Sequence, residues 1–182
     1  MPIPPGRYTL GPGDGTLTVR TGKAGAASKA GHNLVIEVTS WEATLDLPEG
    51  SAERSLELTA DPRSLRVREA GGGVAPLGDD EKASIAKTID EEVLKGSAIR
   101  FRSRRVEAGP DGTGLRIEGD LDLAGASRPV AFHLDAGADG RITGSTVLRQ
   151  TDWGIKPYST LFGALKVTDE VEVAVDARLP AS

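Results

Sequence analysis

From Leu115 to Leu123 every odd position is apolar or glycine and every even position is charged. This two-residue period suits an extended strand with one dry and one wet face. Trp41 to Leu47, Leu34 to Val38, Leu56 to Ala60 and Val171 to Ala177 have the same form. Weaker alternation marks Leu17 to Arg20, Leu65 to Arg68, Ile99 to Val106, Val130 to Asp135 and Arg141 to Leu148. Turn formers such as Pro110-Asp111-Gly112 and Ala138-Asp139-Gly140 separate the runs. Nearly all connections are too short for the crossover helix that a parallel pair needs, so the sheet is expected to be antiparallel and to form a barrel or sandwich.

One segment breaks the pattern. Between Asp79 and Lys95, Ile85, Ile89 and Val93 recur every fourth residue with Ala86 beside them, the apolar stripe of a helix. Asp79, Asp80 and Glu81 suit the positive N-terminal end of its dipole, and Lys95 followed by Gly96 suits its stop. One helix cannot cover both faces of a sheet, so the spacing predicts that helix 79–95 lies against one mouth of the barrel. The glycines Gly71-Gly72-Gly73 before it read as a hinge.

With 182 residues, no repeat and no linker, residues 1–182 read as a single domain. A net charge of -5 opposes nucleic acid and acidic partners, because phosphate contacts need clustered cations. Arg100, Arg102, Arg104 and Arg105 alternate with Phe101 in a way that imitates an RNA-reading strand. In an acidic, aromatic-poor chain they are read as one strand's wet face, with contact to an acidic head group at a barrel mouth kept as a minor reading. No run approaches the roughly 18 apolar residues of a membrane span, and the start lacks a basic stretch followed by an apolar one. The absence of cysteine removes thiolate chemistry and disulfides. A cytoplasmic location is expected if Met1 is the native start, and a periplasmic or extracellular one if a signal peptide has been removed.

Motifs for chemistry are sparse. His32 and His133 are the only histidines and lack further metal ligands at useful spacing, so no metal site is expected. Ser84-Ile85-Ala86-Lys87 has the S-x-x-K form of serine acylases without their partner motifs, and nucleophile-elbow and nucleotide-binding glycine patterns are missing. No catalytic residue and no cofactor are assigned. The most unusual segment is Gln150 to Phe162, where Trp153, Tyr158 and Phe162 gather beside Gly154 and Pro157. It reads either as a loop folded over the core or as the rim of a ligand entrance.

Tyr8-Thr9-Leu10 with Leu17-Thr18-Val19, Ile99-Arg100-Phe101-Arg102-Ser103 after the helix, Gly119-Asp120-Leu121-Asp122-Leu123 with Arg128-Pro129-Val130, and Asp152-Trp153-Gly154-Ile155 before Asp169-Glu170-Val171 follow one another along nearly the whole chain. In this order and spacing they resemble the YceI-like, polyisoprenoid-binding family. The resemblance implies an all-β fold, a single antiparallel eight-stranded lipocalin-like β-barrel with one α-helix, holding a long isoprenoid or fatty-acid-like molecule in its lumen. The chain departs from the family at Asp14-Gly15, where a His-Ser pair is frequent, at Gln150, where Arg is frequent, and along Gly22 to Asn33.

Elementary physics points the same way. An eight-stranded barrel either fills itself with side chains or holds one small ligand. Inward positions such as Ala43 and Gly119 are small, so the lumen is expected to be occupied by a long-chain apolar small molecule. Leu45, Phe101, Phe132, Trp153, Tyr158, Leu161 and Phe162 are its expected contacts. Residues 151–165 are expected to form a hairpin-like lid on which Trp153 reports ligand binding, with Trp41 on a regular strand as a silent reference. Two alternatives stay open. One is an enzyme acting on a bound apolar substrate with Asp152, Tyr158 or His32 as acid or base; the other is a protein-interaction module with a closed, dry barrel core.

Overall fold

The computed structural model describes residues 3–24, 33–71, 78–109, 113–156, 159–160 and 165–180. Among the described residues there are twelve strands: β1 Gly6–Leu10, β2 Gly15–Ala24, β3 Asn33–Val38, β4 Trp41–Leu47, β5 Ser55–Ala60, β6 Leu65–Gly71, β7 Ile99–Ala108, β8 Leu115–Leu123, β9 Ala126–Ala136, β10 Arg141–Arg149, β11 Ser159–Thr160 and β12 Leu165–Arg178. They form one curled sheet in the order β1-β4-β5-β7-β8-β9-β10-β12-β2-β3-β6, with β11 paired to β12. Every pairing is antiparallel, as the short connections require.

Against the expected eight strands, eleven follow one another along the sheet, with β11 beside them. The extra strands arise where long runs bend. β3 passes into β4 through Thr39 and Ser40, and β5 passes into β6 through a single 3₁₀ turn, Pro62–Ser64. The two bends are tied together: the Thr39 N–H donates to the Ser64 carbonyl at 2.9 Å and the Asp61 N–H to the Ser40 carbonyl at 3.0 Å. Proline at the start of the turn removes one donor from the ladder and so favours the break.

Alternation decides which side chains turn inward. Trp41, Ala43, Leu45 and Leu47 are all buried on β4, as are Leu115, Ile117 and Gly119 on β8. At one end of these strands the inward side chains fill the space completely: Ile117 is 0% and Leu45 1% exposed, packed with Tyr8, Leu47, Val106 and Leu115. Gly119 leaves no void, because a side chain there would run into the Arg102 carbonyl and meet Phe101 Cζ and Ser103 Cα, both at 2.7 Å. The backbone of β7 and the Phe101 ring together occupy the place of its missing Cβ, a correction to the reading of Gly119 as empty space.

The segment expected as helix 79–95 is α1, Asp79–Thr88, continued by one π turn over Ile89–Val93. Glu81 accepts from the Gly78 N–H at 3.3 Å, and three acidic residues occupy the first turn. The chain leaves the helix through Lys95 (φ 55°) and Gly96 (φ 66°), the second at the expected stop. Ile85, Ile89 and Val93 pack against the core.

The arginines of β7 are exposed and interleaved with carboxylates. Arg102 lies between Glu57 and Asp120 in the ladder, and Arg104 pairs with Asp120 at 3.3 Å. Phe101 points to the opposite, buried face, so β7 does not combine its cations with a stacking aromatic on one side. His133 is likewise an exposed strand residue.

One seam is incomplete. β9 is laddered to β8 from Leu134 to Ala126, and β10 to β12 from Arg141 to Arg149, yet β9 and β10 pair with each other only at Ile142↔Ala136 and Thr143↔Asp135. Beyond Gly144, where any side chain would press on the His133 carbonyl at 2.5 Å, the two strands run side by side without further ladder pairs.

Candidate functional site

Away from the filled end, the inward side chains enclose a cavity of about 480 Å³. Leu45, Leu56, Leu134 and Ile142 floor it; Leu58, Phe101, Phe132, Val173 and Val175 form its walls; Ile85, Ile89, Val93 and Leu94 cross its mouth. The π turn widens the helix at that point and brings Ile89, Val93 and Leu94 to the cavity together. Phe101 and Phe132 meet with ring centroids 5.3 Å apart and tilted by 58°, within the range of favourable aromatic pairs.

No charged side chain lines this cavity among the described residues. Its polar side chains fall in two places: Thr21, Ser84 and Thr88 near α1, and Ser145, Thr146 and Gln150 along and just after β10. Gln150 is tethered, its side-chain Nε2 donating to the Thr168 carbonyl at 3.0 Å. Such a space offers dispersion and desolvation but, among the described residues, no general acid, base or nucleophile with a carboxylate or imidazole to activate it.

Leu45, Phe101 and Phe132 of the expected contacts line the cavity. Tyr158, Leu161 and Phe162, and His32 of the enzyme reading, lie outside the described residues. Trp153 stands behind the lining. It is 4% exposed, packs with Leu148 and Ile155 in a second apolar cluster, and donates its indole N–H to the Leu121 carbonyl at 2.9 Å. Trp41, expected as a silent reference, lines the cavity, and its buried indole nitrogen has no hydrogen-bond partner among the described residues. The parity was readable: Trp41 shares the inward positions of Ala43 and Leu45 on β4.

The segment expected as a lid divides into parts. Gln150–Trp153 is a 3₁₀ turn closed by Gly154 at φ 72°, and Ser159 and Thr160 pair with Lys166 and Leu165 in a short hairpin ladder. Asp169 ties the turn to β12. The Thr151 hydroxyl and amide donate to its carboxylate at 2.7 and 2.9 Å, holding that carboxyl below the usual range. Asp152 is exposed and lies outside the cavity lining. Among the described residues no group of three or more His, Asp or Glu side chains could hold a metal ion, and no helix is long and apolar enough to cross a membrane.

Comparison with solved structures places this architecture among known folds. The crystal structure of Burkholderia cenocepacia BcnA is similar with a TM-score of 0.61 at 15% identity, over 91% of this chain and 96% of that one. The Campylobacter jejuni YceI protein, which crystallizes with large solvent channels, is similar with a TM-score of 0.58 at 14% identity, over 81% of this chain and 85% of that one. A mutant of that protein with a monobromobimane guest gives a TM-score of 0.60 over the same shares. At these identities the likeness is one of fold. A comparison with curated protein sequences gives no match. The family model described as YceI-like domain matches residues 8–179, and on that span the chain belongs to the YceI-like family.

Proposed function

We propose that this protein binds and carries one elongated apolar molecule, isoprenoid-like or fatty-acid-like, and performs no chemical step on it. The observation that carries the reading is the uncharged cavity beneath α1. At about 24 cal/mol per Å³ of void, an empty space of this size would cost on the order of 10 kcal/mol, comparable with a domain's whole stability. Water is a poor filler between walls that give it few polar partners. An apolar chain resolves the problem, contributing about 0.8 kcal/mol per buried CH₂ group against the free energy of association. At about 30 Å³ per water-sized group, the cavity holds on the order of sixteen such groups.

The strand arrangement supports this reading. With each bent strand counted once, β3 with β4 and β5 with β6, we read β2, these two, β7, β8, β9, β10 and β12 as eight staves of a lipocalin-like barrel. Eight is a number that leaves room for a single ligand. Mass spectrometry of an organic extract of the purified protein tests the proposal. One long-chain species in stoichiometric amount is expected. A clean extract, together with failure of long-chain alcohols and acids to bind in titration, overturns it.

A further inference from the structure

The stretch of the β9–β10 seam without ladder pairs lies beside the cavity. A second recess of about 290 Å³ opens on the outside of the seam, between Pro129, Val130 and Ala131 on β9 and Thr146, Val147 and Leu148 on β10. Val130, Thr146 and Leu148 line this recess and the inner cavity alike. Across the seam beyond Gly144 the described side chains make a single long hydrogen bond, the Thr146 hydroxyl donating to the Ala131 carbonyl at 3.5 Å. Ser145 is exposed to solvent and yet lines the inner cavity. Val147, at the outer lip, is 56% exposed, the one large hydrophobic residue left open among the described residues.

The two recesses differ in chemistry. The inner one has no charge, whereas the outer one is bordered by Arg149, Asp152 and Glu170, with Trp153 as its floor. Arg149 already faces Glu170 at 3.8 Å, so its cation is shared, and Asp152 leaves the recess with negative charge in excess. An anionic end group would be repelled there. A hydroxyl or carbonyl end would meet a hydrogen-bonding partner in Thr146.

We propose that the β9–β10 seam is a side port that takes a single-chain amphiphile, its apolar chain threaded into the cavity and its uncharged polar end held in the outer recess. This rests on the carrier reading above and adds where the ligand enters and which end stays outside. It also accounts for Trp153, whose indole bond to β8 fixes the floor of the port while the strands above it remain unzipped.

Cysteine cross-linking tests the port cleanly, since the chain has no cysteine of its own. If the register of Ile142↔Ala136 continued, Val147 would stand opposite Ala131, and both side chains are exposed. A double variant, Ala131→Cys with Val147→Cys, is oxidised to close the seam and compared with its own reduced form. The probes are cis-parinaryl alcohol and cis-parinaric acid, whose fluorescence rises in an apolar site. The closed form is expected to load the alcohol at least about tenfold more slowly than the reduced form, as gating of a ligand path implies. At neutral pH the alcohol is expected to bind the reduced form about threefold or more tighter than the acid, from the excess of carboxylates at the recess. Equal loading rates in the two forms overturn the port and leave the carrier reading intact. Tighter binding of the acid overturns the assignment of an uncharged end. No binding of either probe by the wild-type protein overturns both readings together. Should the cysteine variant fail to fold, Thr146→Phe narrows the seam by another route: slower loading with an unchanged melting curve supports the port, and wild-type loading refutes it.

Discussion

The two ends of the curled sheet are built from the same alternating strands but put their inward residues to different use. At the end formed by Leu47, Val106, Leu115 and Ile117, side chains interdigitate until little is accessible. At the other, the inward residues stand back, a helix crosses the opening, and one seam is unzipped. The first end stabilises the fold and the second holds the space, so stability and binding ought to separate on mutation.

Ile117→Ala breaks the comparison most severely if it is wrong. Loss of a fully buried side chain with little room to relax is expected to destabilise by about 2–5 kcal/mol in urea unfolding. Ligand affinity of the folded fraction is expected to stay within about twofold of wild type. A mild stability loss with abolished binding would mean that the ends are not distinct.

Ile89→Asp is the converse test at the mouth. A carboxylate placed in the uncharged lining is expected to lower ligand affinity by at least about tenfold, with a stability loss of about 1–3 kcal/mol because the site is only half buried. Binding of a long-chain alcohol at wild-type strength would show that the helix stripe does not touch the ligand.

The two tryptophans sharpen the contrast further. Trp41 lines the cavity that would take the apolar chain, whereas Trp153 borders only the outer recess proposed for the polar end, so titration with a long-chain alcohol is expected to change the emission of Trp153→Phe, which retains Trp41, more than that of Trp41→Phe. The stability order should be reversed. Trp153→Phe leaves the Leu121 carbonyl without its indole donor and is expected to cost about 1–2 kcal/mol, whereas Trp41→Phe removes a donor that has no partner among the described residues. Equal fluorescence responses would remove the distinction between lining and backing.

The smallest expected effect is acidic loosening of the turn beside the port. Hydrogen bonds from Thr151 depress the folded-state pKa of Asp169, so their contribution is complete above the unfolded carboxyl value and is lost as pH falls through the lowered one. Faster exchange of the Thr151 amide is expected below about pH 4, and Asp169→Asn is expected to produce it already at neutral pH. An Asp169→Asn protein with unaltered exchange would show that the tie does not hold the turn.

Much of this was legible in the residues. Period-2 alternation gave the inward set on β4, β5, β8 and β12, and four-residue spacing gave the helix that crosses the mouth, down to its glycine stop. The family of the chain was readable from strings spread along its length. The bends at Thr39-Ser40 and Pro62–Ser64 were harder, because the inward set only changes parity there, from Ile36 and Val38 to Trp41 and Ala43 and from Leu56 and Ala60 to Leu65 and Val67, and a parity change does not say that the run continues as one bent strand with new neighbours. Trp153 misled for a physical reason: glycine and proline around an aromatic residue mark an irregular backbone, which serves equally well to expose a ring or to tuck its N–H onto a neighbouring strand. Gly119 misled because a small residue in a strand announces space without saying which neighbour fills it.

A wall without ionisable groups has a thermodynamic signature of its own. When a chain enters such a space, no carboxyl or imidazole of the described lining changes its surroundings enough to take up or give off a proton. Insertion of an apolar chain into that lining is therefore expected to be proton-neutral, so any proton exchanged on loading, read by calorimetry in buffers of different ionisation enthalpy, would come from groups outside it such as Asp152 and Glu170 at the outer recess. The apolar grip on the proposed ligand would be the same on either side of a pH gradient.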